Sequence, residues 1–320
     1  MIILTGGAGF IGSCFLRRLN EEGYDNILVV DRLTAEKERN LSGKRYRDLA
    51  DKTTFRHNLN AGRIDMDVQA VVHMGACSST TLTDEAYYRS NNLEYSQELC
   101  EWCLRHGIKF IYASSAATYG DGNHGYRDDE ESTLRLRPLN LYGWSKHYFD
   151  LWALENRLFD RITGFKFFNV FGPNEYHKGS MRSVLCKKFP DIEKTGMVSL
   201  FKSHHPDFAD GEQKRDFIYI KDVLEVMVFF LNHPETGGLY NVGTGQANSW
   251  NDLVTPVFEY LQLPVKITYI DMPHALREKY QYFTEADVSA LRRAGFTREF
   301  TPLRRAVIDY CDYLRTAGIY

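Results

Sequence analysis

Cysteine and proline are scarce in this chain, with six and nine residues in 320. The six cysteines (Cys14, Cys77, Cys100, Cys103, Cys186, Cys311) are too dispersed to form a disulfide scaffold. Cys100-Glu101-Trp102-Cys103 is a C-x-x-C, but no second pair completes a zinc site. Its place in a helical pattern predicts buried, reduced thiols and no metal. No charge excess is present either: 39 basic residues against 42 acidic leave a net charge of −3. The basic residues are scattered, which argues against a nucleic-acid partner. Apolar runs long enough for a bilayer, ~20 residues, are missing. The first strand pattern starts at Met1-Ile2-Ile3-Leu4, which leaves no room for a signal peptide. The expectation is a cytoplasmic protein with no membrane association. Internal repeats and low-complexity linkers are also lacking.

The first half of the chain alternates short β runs with helical patterns, as a parallel α/β sheet requires. The candidate strands are Ile2-Leu4, Ile27-Val30, Thr54-Arg56, Ala70-His73, Phe110-Ala113 and Gly164-Phe168. Helical patterns cover about 10–20, 84–106 and 142–158. The second half predicts strands at Asp216-Ile220, Leu239-Val242 and Ile267-Ile270, with helices at about 221–232 and 249–261. Lys202-Gln213 is polar, broken by Pro206 and Gly211, and reads as a surface loop. The fold expected is a Rossmann-like, doubly wound parallel sheet with a smaller C-terminal α/β substrate domain. Residues 1–168 plus about 219–245 would form the first unit, and about 169–218 with 246–320 the second.

Thr5-Gly6-Gly7-Ala8-Gly9-Phe10-Ile11-Gly12 follows the first β run and opens a helix. Gly6, Gly9 and Gly12 allow a tight turn and close backbone approach to a pyrophosphate. The helix N-terminus, at Phe10 and Ile11, adds amide donors and a favourable dipole. Asp31 ends the next β run, where an acidic residue would hydrogen-bond an adenosine ribose. Arg32 and Lys37 could instead pair with a 2′-phosphate, so the residues alone leave NAD and NADP open. The carboxyl ends of later strands should face the same cofactor. That places Met74, Gly75, Ala76, Cys77 and Ser78 beside the phosphates and ribose, and Ser115 beside the nicotinamide.

Tyr142 and Lys146 are spaced Tyr-x-x-x-Lys, one helical turn apart on one face. A phenol is a poor base, with an ordinary pKa of about 10. An adjacent ammonium should stabilise the phenolate and lower that value. Such a pair can move a proton on or off an alcohol oxygen while a cofactor moves hydride.

Together these stretches resemble the extended short-chain dehydrogenase/reductase superfamily: the glycine loop, then Ser114-Ser115-Ala116-Ala117-Thr118-Tyr119-Gly120, then Tyr142-x-x-x-Lys146. Finer detail is similar to one sugar-nucleotide branch of it, the ADP-heptose 6-epimerases. The supporting stretches are Gly75 to Thr81, Phe167 to Pro173, His177-Lys178-Gly179-Ser180-Met181, Lys214 to Phe217, and Tyr280-Gln281-x-Phe283-Thr284. The likeness runs almost end to end.

That resemblance implies inversion of C6 in an ADP-linked heptose for the lipopolysaccharide inner core, with tightly held NADP. It also implies homo-oligomers, pentamers in particular. Tyr142 and Lys178 would then be the two acid/base groups, supported by Lys146 and Ser115. Lys52, Asn91, Val170 and Lys178 join the implied cofactor contacts. Asn169, Ser180, Lys187, Phe201, Lys202, Ser203, His204, Arg215 and Tyr280 are the implied substrate contacts, with Ser115. The chain departs from the branch in a longer 204–213 segment and in Lys187, where a histidine is common. A UDP-hexose 4-epimerase shares the glycine loop, Ser115 and Tyr142/Lys146 but does not need Lys178 as a second base. A 4,6-dehydratase would carry Asp-Glu after Ser115, where Ala116-Ala117 stand. A non-catalytic NADP-sensing protein of this fold would have no use for intact Ser115, Tyr142 and Lys146.

Overall fold

Strand β1 (Ile2–Thr5) is buried along its whole length and lies between β2 (Ile27–Asp31) and β4 (Ala70–His73), parallel to both. A strand covered on both faces needs a continuous apolar run, and Ile2-Ile3-Leu4 supplies it. In this computed structural model, which describes residues 1–64, 67–277 and 280–320, seven parallel strands form the central sheet. The others are β3 (Asp48–Asp51), β5 (Lys109–Ser115), β6 (Ile162–Phe167) and β10 (Gly238–Val242). Their order is β10-β6-β5-β4-β1-β2-β3. The chain leaves β1 in one direction for β2 and β3, then returns to lay β4 on the other side. That reversal opens a crevice at the carboxyl ends of β1 and β4, where Thr5 and His73 are register partners.

The remaining strands form smaller sheets. β7 (Asn169–Phe171), β9 (Lys214–Tyr219) and β11 (Ala247–Ser249) are ordered β11-β9-β7, while β8 (Val198–Phe201) pairs in parallel with β12 (Ile267–Ile270). Helix Phe10–Glu21 packs Phe10, Cys14, Phe15, Leu16 and Leu19 into the core. Each large apolar side chain buried this way contributes about 1.5–3 kcal/mol.

Two expectations about local structure need correction. Thr54-Arg56 is not a strand but part of helix Lys52–Asn60, and the third strand is β3, just before it. Asp51 caps that helix, accepting from the amides of Thr53 and Thr54 at 2.9 and 3.1 Å. A β3 sequence of Asp-Leu-Ala-Asp at the sheet edge shows no apolar run, whereas Thr54-Phe55 beyond it pairs a β-branched with an aromatic residue. The helix at 84–106 is interrupted: Arg89–Glu94 is a π-helical turn between Glu85–Tyr88 and Tyr95–His106. The wider turn places Asn91 and Asn92, both buried, beside the crevice. The six cysteines are free, and Cys100 and Cys103 are buried as expected. Among the described residues no helix is long and apolar enough to cross a membrane, and no cluster of metal-ligating side chains occurs.

Candidate active site

The glycine loop is shaped by close contacts. Gly6 has φ +67°, and a Cβ there would lie 2.6 Å from the Gly75 amide nitrogen. A Cβ on Gly12 would lie 2.2 Å from the Gly6 carbonyl oxygen. Both positions need glycine because the loop, the first helical turn and the segment after β4 are packed backbone to backbone. Gly9 caps helix Phe10–Glu21 with no side chain on its amides. The free amide end and the helix dipole suit a pyrophosphate.

This cradle opens into a cavity of about 520 Å³ at the crevice. Its wall includes every residue expected to hold the cofactor: Gly6, Gly9, Phe10, Ile11, Gly12, Asp31, Arg32, Lys37, Lys52, Met74, Gly75, Ala76, Cys77, Ser78, Asn91, Tyr142, Lys146, Val170 and Lys178. Ser115 completes the four expected catalytic groups on the same wall. A nicotinamide dinucleotide fits this donor set.

Asp31 is already engaged. Its Oδ2 accepts from the Ala8 amide at 3.0 Å, and its Oδ1 from the Arg32 amide and Lys37 Nζ, both at 2.7 Å. Lys52 donates to Asn91 at 2.6 Å. Burial, and then the charges of Arg32 and Lys37, push the Lys52 ammonium below its ordinary pKa.

The chemical end is built from several elements. Asn140 caps helix Leu141–Glu155 by accepting from Gly143 at 2.9 Å. A Cβ on Gly143 would meet the Ala117 carbonyl at 2.7 Å, so that helix lies tight against the turn following Ser115. Tyr142 therefore stands beside Ser115, whose hydroxyl acts to lower its pKa. The expected lowering of the Tyr142 pKa is not met. Burial raises it, only partly countered by Ser115. Lys146, 3% exposed, is drawn down to about 8 by burial, with Asp150 pulling the other way. Desolvation acts on both members and outweighs what one turn of helix provides.

Lys178 reaches the cavity from the turn Tyr176–Met181, with Nζ 5.1 Å from the centre of the Phe10 ring. The turn is anchored at both sides. Buried Glu175 accepts from the hydroxyls of Ser183 and Tyr310 at 2.6 and 2.9 Å. Asn40 donates to His177 at 3.2 Å, and Asn174 exchanges hydrogen bonds with Tyr320 at 2.9 and 3.0 Å. Burial lowers the Lys178 pKa, and among the described residues no carboxylate lies within ion-pair distance.

The expected substrate residues, apart from Ser115, do not line this cavity. Asn169 is exposed at the start of β7. Ser180 is exposed, and its carbonyl accepts from Lys187 at 3.4 Å. Phe201 ends β8, Lys202 pairs with Asp271 at 3.5 Å, Ser203 donates its amide to Asp210 at 2.7 Å, and His204 is exposed. Arg215 is 6% exposed, with its guanidinium 5.1 Å from the Tyr280 ring and 5.9 Å from that of Trp250. Its nitrogens donate to the carbonyls of Lys214 and Gln281, with no carboxylate partner among the described residues. Residues with no site role expected from the sequence also line the cavity, among them Ser79, Tyr87, Tyr95, His177 and Met181. The motif at His177 to Met181 held a signal for two of these; Tyr87 and Tyr95 sit in an ordinary helical pattern and gave none.

Comparison with known proteins fits this geometry. The model of the NAD dependent epimerase/dehydratase family matches residues 2–243. An ADP-L-glycero-D-manno-heptose-6-epimerase of Nitratidesulfovibrio vulgaris is 54% identical over 319 residues, covering 99% of each chain. One of Fusobacterium nucleatum is 45% identical over the full length of both. The crystal structure of the Helicobacter pylori ADP-L-glycero-D-manno-heptose-6-epimerase superposes with a TM-score of 0.84 at 27% identity, covering 98% of this chain and 96% of that one. The chain therefore belongs to the NAD dependent epimerase/dehydratase family and, within it, to the ADP-L-glycero-D-manno-heptose-6-epimerases.

Proposed function

We propose that this chain inverts C6 of the heptose in ADP-D-glycero-β-D-manno-heptose, using bound NADP, to supply the L-glycero epimer for the lipopolysaccharide inner core. The observation that carries this reading is that Tyr142 and Lys178, from separate elements, line one cavity with Ser115 and Lys146. A nicotinamide dinucleotide held by the glycine loop, Asp31, Lys146 and their neighbours would supply the hydride chemistry at C6. The protein's own groups manage the proton and the geometry. Tyr142 holds the C6 hydroxyl proton for one presentation of the oxygen, and Lys178 holds it for the other. Burial lowers the Lys178 pKa, the direction that a lysine acting as a base requires. Ser115 orients the reacting oxygen against Tyr142. Arg215, boxed by Trp250 and Tyr280, suits the diphosphate of the ADP group.

The preference for NADP rests on Asp31. Its carboxylate is occupied by Ala8, Arg32 and Lys37 rather than presented to a ribose hydroxyl. Arg32, Lys37 and Lys52 on the same wall supply positive charge for a 2′-phosphate.

A UDP-hexose 4-epimerase would use the same glycine loop and Tyr142/Lys146 pair, but would leave Lys178 without a task. Incubation of the purified protein with ADP-D-glycero-manno-heptose, followed by NMR at C6, distinguishes the two. Formation of the L-glycero epimer supports the reading; turnover of a UDP-hexose instead would overturn it.

A further inference from the structure

Beneath the proposed proton-transfer centre lies an ion pair that the chemistry above does not use. Asp150 and Lys166 are both fully buried, with Nζ to Oδ2 at 2.9 Å. Asp150 is one turn beyond Lys146 on the helix that carries Tyr142. Its Oδ1 accepts from the Tyr112 hydroxyl at 2.8 Å and its Oδ2 also from the Ser114 hydroxyl at 2.7 Å. Lys166, on β6, donates further to Thr118 at 2.7 Å and lies 5.0 Å from the Tyr119 ring. The pair thus joins the helix of Tyr142 and Lys146, the strand ending in Ser115, the turn after it, and β6.

We propose that Asp150 and Lys166 are positioning residues, a buried pair that holds Tyr142 against Ser115 and supplies the counter-charge for the Lys146 ammonium. The inference rests on the epimerase reading, because it assigns work to Tyr142 and Lys146.

The electrostatics agree with the geometry. Lys146 is buried and has no ion-paired carboxylate among the described residues. Asp150, from its own helix, is the group opposing the downward effect of burial on Lys146. From β4, His73 also faces Lys146, but burial holds it down to about 3 and so uncharged near neutrality. His147, beside Asp150 and Lys166, is likewise held down to about 4. Tyr142 faces Ser115, Cys77 and Asp150, and Asp150 acts to raise its pKa. With both histidines neutral, the paired Asp150 and Lys166 are the charged groups packed against Tyr142 and Lys146, and Arg137 also faces His147.

Removing the Asp150 charge leaves Lys146 and Lys166 as two buried cations and relieves Tyr142 of a neighbouring anion. Both effects move the working pH range downward. Removing the Lys166 charge leaves the Asp150 anion to Lys146 alone and moves the range upward.

The test compares pH profiles of kcat for the cofactor-loaded wild type, Asp150→Asn, Lys166→Met and Lys166→Arg, with retained cofactor measured by absorbance. The alkaline limb should fall by about one pH unit or more in Asp150→Asn and rise in Lys166→Met. Lys166→Arg should match the wild type, and all variants should retain the cofactor. Unmoved limbs, or limbs moving the same way in the two charge-removing variants, would overturn the proposal. If Asp150→Asn does not fold, the sign in Lys166→Met decides: upward supports the pair, no shift or a downward shift overturns it. A wild type that fails to epimerise at all removes the functional reading rather than this role.

Discussion

Asn92 clasps Cys77 from both sides, accepting its amide hydrogen at 2.8 Å and donating to its carbonyl at 2.9 Å. The same carboxamide donates to the Ser145 hydroxyl at 2.9 Å, and Ser145 donates to the carbonyl of Tyr142 at 2.7 Å. The segment after β4 is thereby tied to the first turn of the Tyr142 helix. Asn92→Ala would remove the partner of the half-buried Cys77 amide and carbonyl and of the buried Asn91 amide, a loss of about 1–3 kcal/mol for a fully buried group. We expect a lower urea midpoint and a kcat loss larger than any change in KM. An unchanged midpoint would mean that the clasp carries no stability.

Gly12 and Gly9 differ in how much room they have. The nearest atom to a Cβ on Gly12 is backbone at 2.2 Å, whereas Gly9 meets the Gly6 carbonyl only at 3.1 Å. Gly12→Ala should purify with little or no nicotinamide cofactor, while Gly9→Ala retains more. The ratio of cofactor to protein, read by absorbance after extraction, checks this. Equal retention in the two variants would contradict the packing argument.

Lys37 both supplies charge and occupies Asp31, at 2.7 Å. In Lys37→Ala the proposed 2′-phosphate would lose a cation, and Asp31 Oδ1 would keep only the Arg32 amide and have room to accept a ribose hydroxyl. Calorimetric titration with 2′,5′-ADP and with 5′-AMP should show the preference for the former falling about tenfold or more. A preference for 5′-AMP already in the wild type would favour NAD instead.

His73 gives the fold a pH dependence of definite sign. Its ring bonds to the hydroxyls of Thr5 at 2.6 Å and Ser96 at 2.9 Å, and burial depresses its pKa to about 3. The unfolded chain, with an ordinary histidine near 6.5, binds the proton first as pH falls. The contribution is therefore intact above about pH 6.5 and is lost progressively toward pH 3. Urea unfolding between pH 7 and 4.5 should show this decline, and His73→Gln should flatten it. Equal slopes in the two proteins would remove His73 from the account.

The cofactor half of the site was legible because its information is local. A glycine loop between a strand and a helix, with Asp31 beyond it, states its own geometry. Lys178 was legible only through its resemblance to a known motif, since a lone lysine in a turn has no distinguishing pattern. Asn92 was not legible: it lies in a helical pattern, and only the π-turn at Arg89–Glu94 directs it to Cys77. Nor does spacing reveal that Asp150 would meet Lys166, because their pairing depends on the crossover from the helix to β6. Helix Lys52–Asn60 was misread although Asp51 stood at its cap, because a polar edge strand left Thr54-Phe55 as the louder signal.

In the proposed reaction C6 is oxidised and re-reduced within one site, with Tyr142 and Lys178 handling the proton and the hydride never reaching solvent. The direct measurement uses ADP-heptose deuterated at C6, with NMR of the product after epimerisation in ordinary water. Hydride return within the site gives inversion with the deuterium retained at C6, and no label taken up when unlabelled substrate reacts in heavy water. Loss of the label to solvent would show that the carbon is inverted by proton exchange, and would contradict it.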